Sequence, residues 1–536
     1  MENKIIKFFS SRVVLLLVPF LIFISTYLNY YLASEKYDYI MPMAALYKYY
    51  LLFFVILVGY NLLLSIISKN KEFSWFAAVA VSLAIFNFTS VKQLVIALVI
   101  GLVFVLILRK IKLKEGAIFI VLPNIFVCFF FLFSFIPVSI RWLDLVINTN
   151  RTNADYTVVV DDSKTMKPNI YYIHCDGMMS MEAMNKYFNY DSPYLNDYLS
   201  KEDFIINRNV VLPLGHRTEK TLVALFNPYY YDNKGKAYYD DLDNYFAGKA
   251  KKVKNYITYN EITNKRMNSE LLQGLSSGGY TTYGIGFYNQ HTSINSDYYY
   301  YYNYYGGEEN HLGKHLSLHL IDKSIKKKDL ERFINMQVLG AIYPSPNVIE
   351  KIDYNDYLKK AKEISTENLD LEEYDYLKTT TNEKVKMMVA SLHDIYNTDN
   401  SRFVFLDYDL NHLNISYYED GSEQDDQGDF VDSYKQNYTY LSYLLVDLIK
   451  YIKTNDPNSV IVLQGDHGIH LLSCSRMMKS IGVEEKDCPI IRDSAISAIY
   501  IPKEYRLGDE EYLSNPLNIS RYIINNYVGK NYEYIK

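Results

Sequence analysis

The sequence predicts a chain in two parts: an N-terminal bundle of about five transmembrane helices, then an extracytoplasmic α/β domain whose mostly parallel sheet is flanked by helices. Three observations predict this. Five apolar runs fill the first 150 of the 536 residues. Charge divides at the same place, with thirteen Lys or Arg against six Asp or Glu in residues 1–150, a net of +7, while the whole chain carries −6 and the remainder therefore −13. Beyond that point, short β-branched or aromatic runs alternate with amphipathic stretches, the pattern of a parallel sheet with crossover helices. The expected division is an anchor at 1–147, a polar linker at 148–167 and an outer domain at 168–536.

The apolar runs lie at about Val13–Ala33, Tyr49–Ile67, Phe73–Thr89, Gln93–Leu108 and Ala117–Ile140. The first, second and fifth suffice to cross a hydrocarbon layer of ~30 Å. The third and fourth are short and joined by a tight turn, so they are expected to cross as a helical hairpin. Lys4, Lys7, Arg12, Lys69, Lys71, Arg109, Lys110, Lys112 and Lys114 fall on one side of these spans, and Lys36, Lys48 and Lys92 on the other. The richer side is cytoplasmic. An odd number of spans then places the residues after Arg141 outside. Composition is 49% hydrophobic and 22% charged, which excludes a disordered chain, and the negative net charge argues against a nucleic-acid partner. Tyrosine is abundant at 55 residues. The runs Tyr229–Tyr231 and Tyr298–Tyr302 are expected in loops or surface packing. Of the four cysteines, Cys128 and Cys175 read as packed thiols, and Cys474 and Cys488 as a local bridge in an oxidising exterior.

Three buried-type strands end in polar groups able to hold a cation or an anion. Asn169–Cys175 runs into Asp176-Gly177, Arg402–Leu406 into Asp407, Asp409 and His412, and Ser459–Gln464 into Gly465-Asp466-His467-Gly468. In open α/β sheets, ligands gather at the carboxyl ends of strands. Asp176 alone is as readily a helix cap. Adjacent Asp466 and His467 before a glycine are more specific, because both side chains can turn onto one cation as oxygen and imidazole donors. Leu212-Pro-Leu-Gly-His216-Arg217-Thr218 reads as a loop entering a helix, with Thr218 at the N-cap. A hydroxyl there meets the positive end of the helix dipole, and ligation to a divalent cation would make it a nucleophile. His216 and Arg217 would flank an incoming phosphate.

Asp176 after a strand, Thr218 at a helix start and Asp466-His467 after a late strand resemble the alkaline phosphatase/sulfatase superfamily. The nearer likeness is to its membrane-anchored head-group transferases, the lipoteichoic acid synthases and the phosphoethanolamine transferases. The Thr-x-x-Thr-Leu spacing of Thr218 to Leu222 is similar to their nucleophile segment and favours Thr218 over Thr221. The resemblance implies a sulfatase-like outer domain on a multi-pass anchor in a bacterial cell membrane. It implies one divalent cation, manganese before magnesium or zinc, held by Asp176, Thr218, Asp466 and His467. Asp407–Ile415, with His412, resembles the family's segment carrying a substrate-binding histidine, and Gly286–His291, with His291, is similar to the segment in which the lipoteichoic acid synthases hold glycerol phosphate. The Trp and Arg of that segment are replaced by Ile294, Asn295, Ser296 and Asp297, and the Cys-x-Pro-x-Arg motif of sulfatases is absent. The implied activity moves a phospho-alcohol head group, phosphoglycerol first among the candidates, from a membrane phospholipid through a covalent threonine to a cell-surface glycan or teichoic-acid-like polymer. A membrane-bound phosphodiesterase or sulfatase-like hydrolase is the alternative. His470 and Asp447 are given structural roles, and the stretch from Pro502 to Lys536 is expected to be helical without chemistry.

Overall fold

A computed structural model describes residues 2–34, 43–68, 71–84, 91–108 and 116–149, and most of 166–536 apart from 215–216, 247–248, 251–254, 256, 258, 287–293, 301–360, 363–368, 397, 399, 409–416, 425–429 and 470–482. The chain divides into two compact units. The described part of the first is helical: Glu2–Phe9, Arg12–Ser34, Met43–Ser68, Lys71–Ala84, Val91–Leu108 and Gly116–Thr149. Each expected span thus falls on a helix. Among the described residues no helix is long and apolar enough to cross a membrane. Buried Val14, Leu15, Val18 and Ile22 pack with Trp75, Ile120 and Val127, joining three of these helices. The expected linker lies mostly outside the described residues.

The second unit is built on an eight-stranded sheet. Its strands are β1 (Ile170–His174), β2 (Ile205–Ile206), β3 (Thr281–Gly286), β4 (Tyr298–Tyr300), β5 (Ala361–Lys362), β6 (Arg402–Asp407), β7 (Val460–Gln464) and β8 (Ser497–Tyr500), in the order β2-β8-β7-β1-β6-β3-β4-β5. From β7 to β5 every pairing is parallel, whereas β8 runs antiparallel to β7 and β2 antiparallel to β8. The three strands expected to carry ligands are neighbours at the centre. Their residues are buried on both faces, which is why each reads as a continuous apolar run rather than an alternating one. Tyr298–Tyr300 pairs with β3 as a strand, against the expectation of a loop: two of its three tyrosines are buried, and aromatic residues favour a pleated, half-buried surface. Tyr229 and Tyr230 lie in a short helix. The C-terminal stretch is helical over much of its length, as expected, though in short pieces: 3-10 turns, one α-helical turn and a π-turn.

The helix Phe430–Asn455 packs across the sheet with Val431, Tyr434, Tyr438, Leu441, Leu445, Leu448 and Ile452 buried, the three-to-four spacing of an apolar face. Two of these tyrosines also hold the loop after β1. Tyr434 donates its hydroxyl to the Gly177 carbonyl at 3.0 Å, and Tyr438 donates to the Met179 carbonyl at 3.1 Å. Gly177 turns that loop at φ +70°, a conformation glycine adopts without steric cost. Asp447, on the same helix, accepts from the Tyr376 amide and pairs with Lys450, a structural role as expected.

Candidate metal centre

At the carboxyl ends of β1 and β7 the loops bring Asp176, Asp466 and His467 together. Each offers one donor atom, and the three atoms lie within 4.8 Å of one another. All three side chains are buried. His467 Nε2 stands 3.3 Å from Asp466 Oδ2 and 3.6 Å from Asp176 Oδ1. Its other nitrogen, Nδ1, is 2.8 Å from the Gly468 carbonyl and donates to it. That bond fixes the tautomer and leaves the Nε2 lone pair turned to the two carboxylates, the orientation of a metal-ligating histidine.

The donor set fits a divalent cation. Donors each about 2.1 Å from one ion sit about 3.0–3.4 Å apart, close to the spacing here. Two carboxylates taken out of water at this range repel each other, and a cation supplies the charge that makes their burial tolerable. One imidazole and two carboxylates, with no thiolate, suit manganese, magnesium or zinc. Cys175 is no donor: burial pushes its thiol up, and its Sγ lies 3.7 Å from the Ile173 carbonyl. It is a packed thiol, as expected.

Three neighbours, His174 and the pair Arg492 and Asp493, went unrecognised in the sequence as part of this site. His174 closes β1 in register with Asp407 of β6 and Gln464 of β7. Its Nδ1 is 2.9 Å from Asp407 Oδ1, and its Nε2 is 3.7 Å from Asp466 Oδ1. Arg492 and Asp493 form a buried pair, with Arg492 Nε donating to Asp493 Oδ1 at 2.5 Å and a second bond from Nη2 to Oδ2. Burial pushes the Asp493 carboxyl up, and the guanidinium beside it pulls the other way. Nothing in spacing could have found His174, because strand alternation carries no sign of what faces a residue across the sheet.

Thr218 is buried and opens the helix Thr218–Phe226 as its first helical residue. The N-cap is Arg217, in extended conformation, so the helix begins one residue earlier than the sequence suggested. Arg217 Nη1 lies 3.8 Å from Glu219 Oε1. The segment leading to this helix is held by the same stretch that holds the Asp466–His467 turn. Leu212 donates its amide to the Asp493 carbonyl at 2.7 Å, Val211 bridges Ser494, and Gly468 donates its amide to the Arg492 carbonyl at 2.7 Å. His216, His291 and His412 lie outside the described residues, as does His470. Cys488 is disulfide-bonded, while Cys128 and Cys175 are free. Cys474, its expected partner, lies outside the described residues.

No family model matches the chain, and no curated protein sequence matches it. Solved structures do. A lipooligosaccharide phosphoethanolamine transferase A, an integral membrane protein of Neisseria meningitidis, matches over 97% of this chain and 96% of its own, at 10% identity and a TM-score of 0.39. The lipoteichoic acid synthase of Listeria monocytogenes matches over 70% of this chain and 76% of its own, at 13% identity and a TM-score of 0.36. A protein in the alkaline phosphatase superfamily from Vibrio parahaemolyticus matches over 63% and 61%, at 10% and 0.31. Scores of this size assign no role to any residue here, and the metal centre stands on its own geometry.

Proposed function

We propose that the chain is a metal-dependent phosphotransferase that moves a phospho-alcohol head group, phosphoglycerol in the first instance, from a membrane phospholipid to a cell-surface glycan or teichoic-acid-like polymer. The observation that carries this reading is the buried meeting of Asp176, Asp466 and His467 at the carboxyl ends of two central parallel strands. Asp176, Asp466 and His467 would hold one divalent cation, manganese before magnesium or zinc, with Thr218 as the fourth donor; when bound, it lowers the pKa of a hydroxyl and offsets charge growing on phosphoryl oxygens.

Two in-line displacements follow. The Thr218 hydroxyl gives up its proton as its oxygen attacks the phosphorus of the lipid phosphodiester, the bond to the glycerol oxygen of diacylglycerol breaks, and that oxygen takes up a proton. The head-group phosphoryl is then carried by Thr218. An acceptor hydroxyl attacks the same phosphorus, gives up its proton, and the bond to Thr218 breaks as threonine regains a proton. The first turn of the Thr218–Phe226 helix directs backbone N–H groups toward its N-terminal end, where they favour the developing negative charge. Arg217 and His216, beside the nucleophile, are assigned to the phosphate. His412 is assigned to the phosphate or the leaving-group proton, either of which an imidazole can serve. His291 is assigned to the head group.

We further infer that residues 1–147 anchor the enzyme in a bacterial cell membrane with residues 168–536 outside, joined by the linker at 148–167. The five apolar runs and the nine-to-three distribution of Lys and Arg support that orientation. An anchored enzyme meets a bilayer donor at high effective concentration without needing tight donor binding. The chemistry is tested by Thr218→Ala. The variant is expected to release no diacylglycerol from labelled phospholipid while folding normally, and undiminished release would remove the nucleophile.

A further inference from the structure

We propose that residues 531–536 form a detachable strap, and that Asn518, Arg521 and Asn525, on which they lie, make a site for an extended peptide with tyrosines two residues apart. Asn518 ends a 3-10 turn, Arg521 lies in the α-helical turn Ile519–Ile523, and Asn525 lies in the π-turn Ile524–Val528. All three side chains are buried. A carboxamide carries an N–H donor and a C=O acceptor, as a peptide group does. One Asn can therefore satisfy both backbone groups of a residue, as a neighbouring strand would. Asn525 Nδ2 donates to the Tyr532 carbonyl at 2.9 Å, and the Tyr532 amide donates to Asn525 Oδ1 at 2.7 Å. Asn518 makes the same pair of bonds with Ile535, at 2.7 and 2.8 Å. Between them, Arg521 Nη1 donates to the Glu533 carbonyl at 2.9 Å. These bonds read backbone and not side chains.

The tyrosines supply the selectivity. Exposure alternates along the strap, with Asn531 and Glu533 outward and Tyr532 and Tyr534 half-buried, the period of an extended chain. The Tyr534 ring stacks on Tyr512 at 4.5 Å between centroids and 6° between planes, and its hydroxyl donates to Asp509 Oδ2 at 3.2 Å. The Tyr532 hydroxyl donates to Glu270 Oε2 at 3.4 Å. Through Glu270 the strap reaches a second element. That carboxylate accepts the Tyr229 and Tyr230 amides at 2.8 and 3.0 Å, amides of a first helical turn that their own helix cannot satisfy. Arg521 grips the same place, because its guanidinium also bonds both oxygens of Asp232, at 2.7 and 2.8 Å. The helical stretch that begins at Pro228 follows the Thr218–Phe226 helix after Asn227 alone. Occupancy of the strap site thus sets how firmly that junction is capped, whatever chemistry Thr218 performs.

The test places a specific protease site between Lys530 and Asn531 of the full-length protein, which is folded, cut and passed through gel filtration. A fluorescent peptide with the sequence of residues 531–536 is then titrated by anisotropy. Hydrogen exchange at the Tyr229 and Tyr230 amides is followed by mass spectrometry. The cut protein is expected to lose the strap, stay folded and bind the peptide, while the uncut protein binds none. Asn525→Leu in the cut protein should weaken binding about tenfold, the effect of losing a pair of ordinary hydrogen bonds. A peptide carrying Tyr532→Ala and Tyr534→Ala should not bind. Exchange at the two amides should quicken when the strap leaves and slow again when peptide is added. A strap that stays bound through gel filtration, or a cut protein that unfolds without it, would show an integral part of the core and overturn the proposal. So would peptide uptake by the uncut protein, no uptake by the cut one, unchanged affinity in Asn525→Leu, or exchange indifferent to the strap.

Discussion

Gly468 shows how tightly the candidate site is built at the scale of a single residue. A Cβ at this position would stand 2.2 Å from the Ile491 carbonyl oxygen, 2.8 Å from Met179 Cγ and 2.9 Å from the Ser494 carbonyl oxygen. Two of these are backbone atoms, which cannot swing aside as a flexible side chain can. The same residue accepts His467 Nδ1 on its carbonyl and donates its amide to Arg492, so any shift moves the imidazole. Gly468→Ala is expected to cost about 3 kcal/mol in denaturant unfolding, the upper end for overpacking, and to weaken cation binding with it. A wild-type unfolding midpoint in that variant would show the turn to be looser than described. At this scale the sequence was legible wherever a ligand follows its own strand directly. Asp176, Asp466 and His467 each come within three residues of a buried apolar run, and the strand-end rule finds them. His174 was not legible, because its significance lies in Asp407, 233 positions away and brought opposite by parallel register. The N-cap at Thr218 missed by one residue, since Arg217 has no side-chain signature of a cap and the boundary is set by its extended backbone.

Among the elements, the central strands were the plainest to read and the edges the hardest. β1, β6 and β7 are buried on both faces, so their sequences are nearly pure apolar runs. β2 and β5 have two residues each and carry no periodicity at all. β8 is four residues long, and its antiparallel direction depends on the path of the chain from β7, which no local pattern encodes. The tyrosines of β4 were masked by low complexity, and their pairing with β3 is what organises them. Within residues 1–149 the apolar runs and the described helices coincide, and the proposed orientation rests on Lys and Arg at their ends. Protease added to intact cells is expected to cleave the region after residue 167 and to spare a tag at Met1. Protection of the C-terminal region under those conditions would reverse the proposed topology.

At the scale of the whole molecule, the proposed enzyme is a tether and a sheet-borne site joined by a polar linker. The sheet gives the site rigidity: its central strands are paired on both sides, and the long helix Phe430–Asn455 fastens the loop after β1 through two tyrosine hydroxyls. Hydrogen bonds of that kind are worth about 1 kcal/mol each in stability, and their larger effect is to keep Asp176 facing β7. The tether would bring that site to a donor confined to the bilayer, which is the reason for joining a helical unit to an α/β one. The central claim is that Thr218 carries the phosphoryl group between donor and acceptor, and mass spectrometry of the intact protein after incubation with bacterial membranes and Mn²⁺ tests it most directly. The account predicts a mass increment that localises to Thr218 and equals a head-group phosphoryl, with no increment in Thr218→Ala. An unmodified Thr218 in protein that is releasing diacylglycerol, or an increment on another residue, would contradict it.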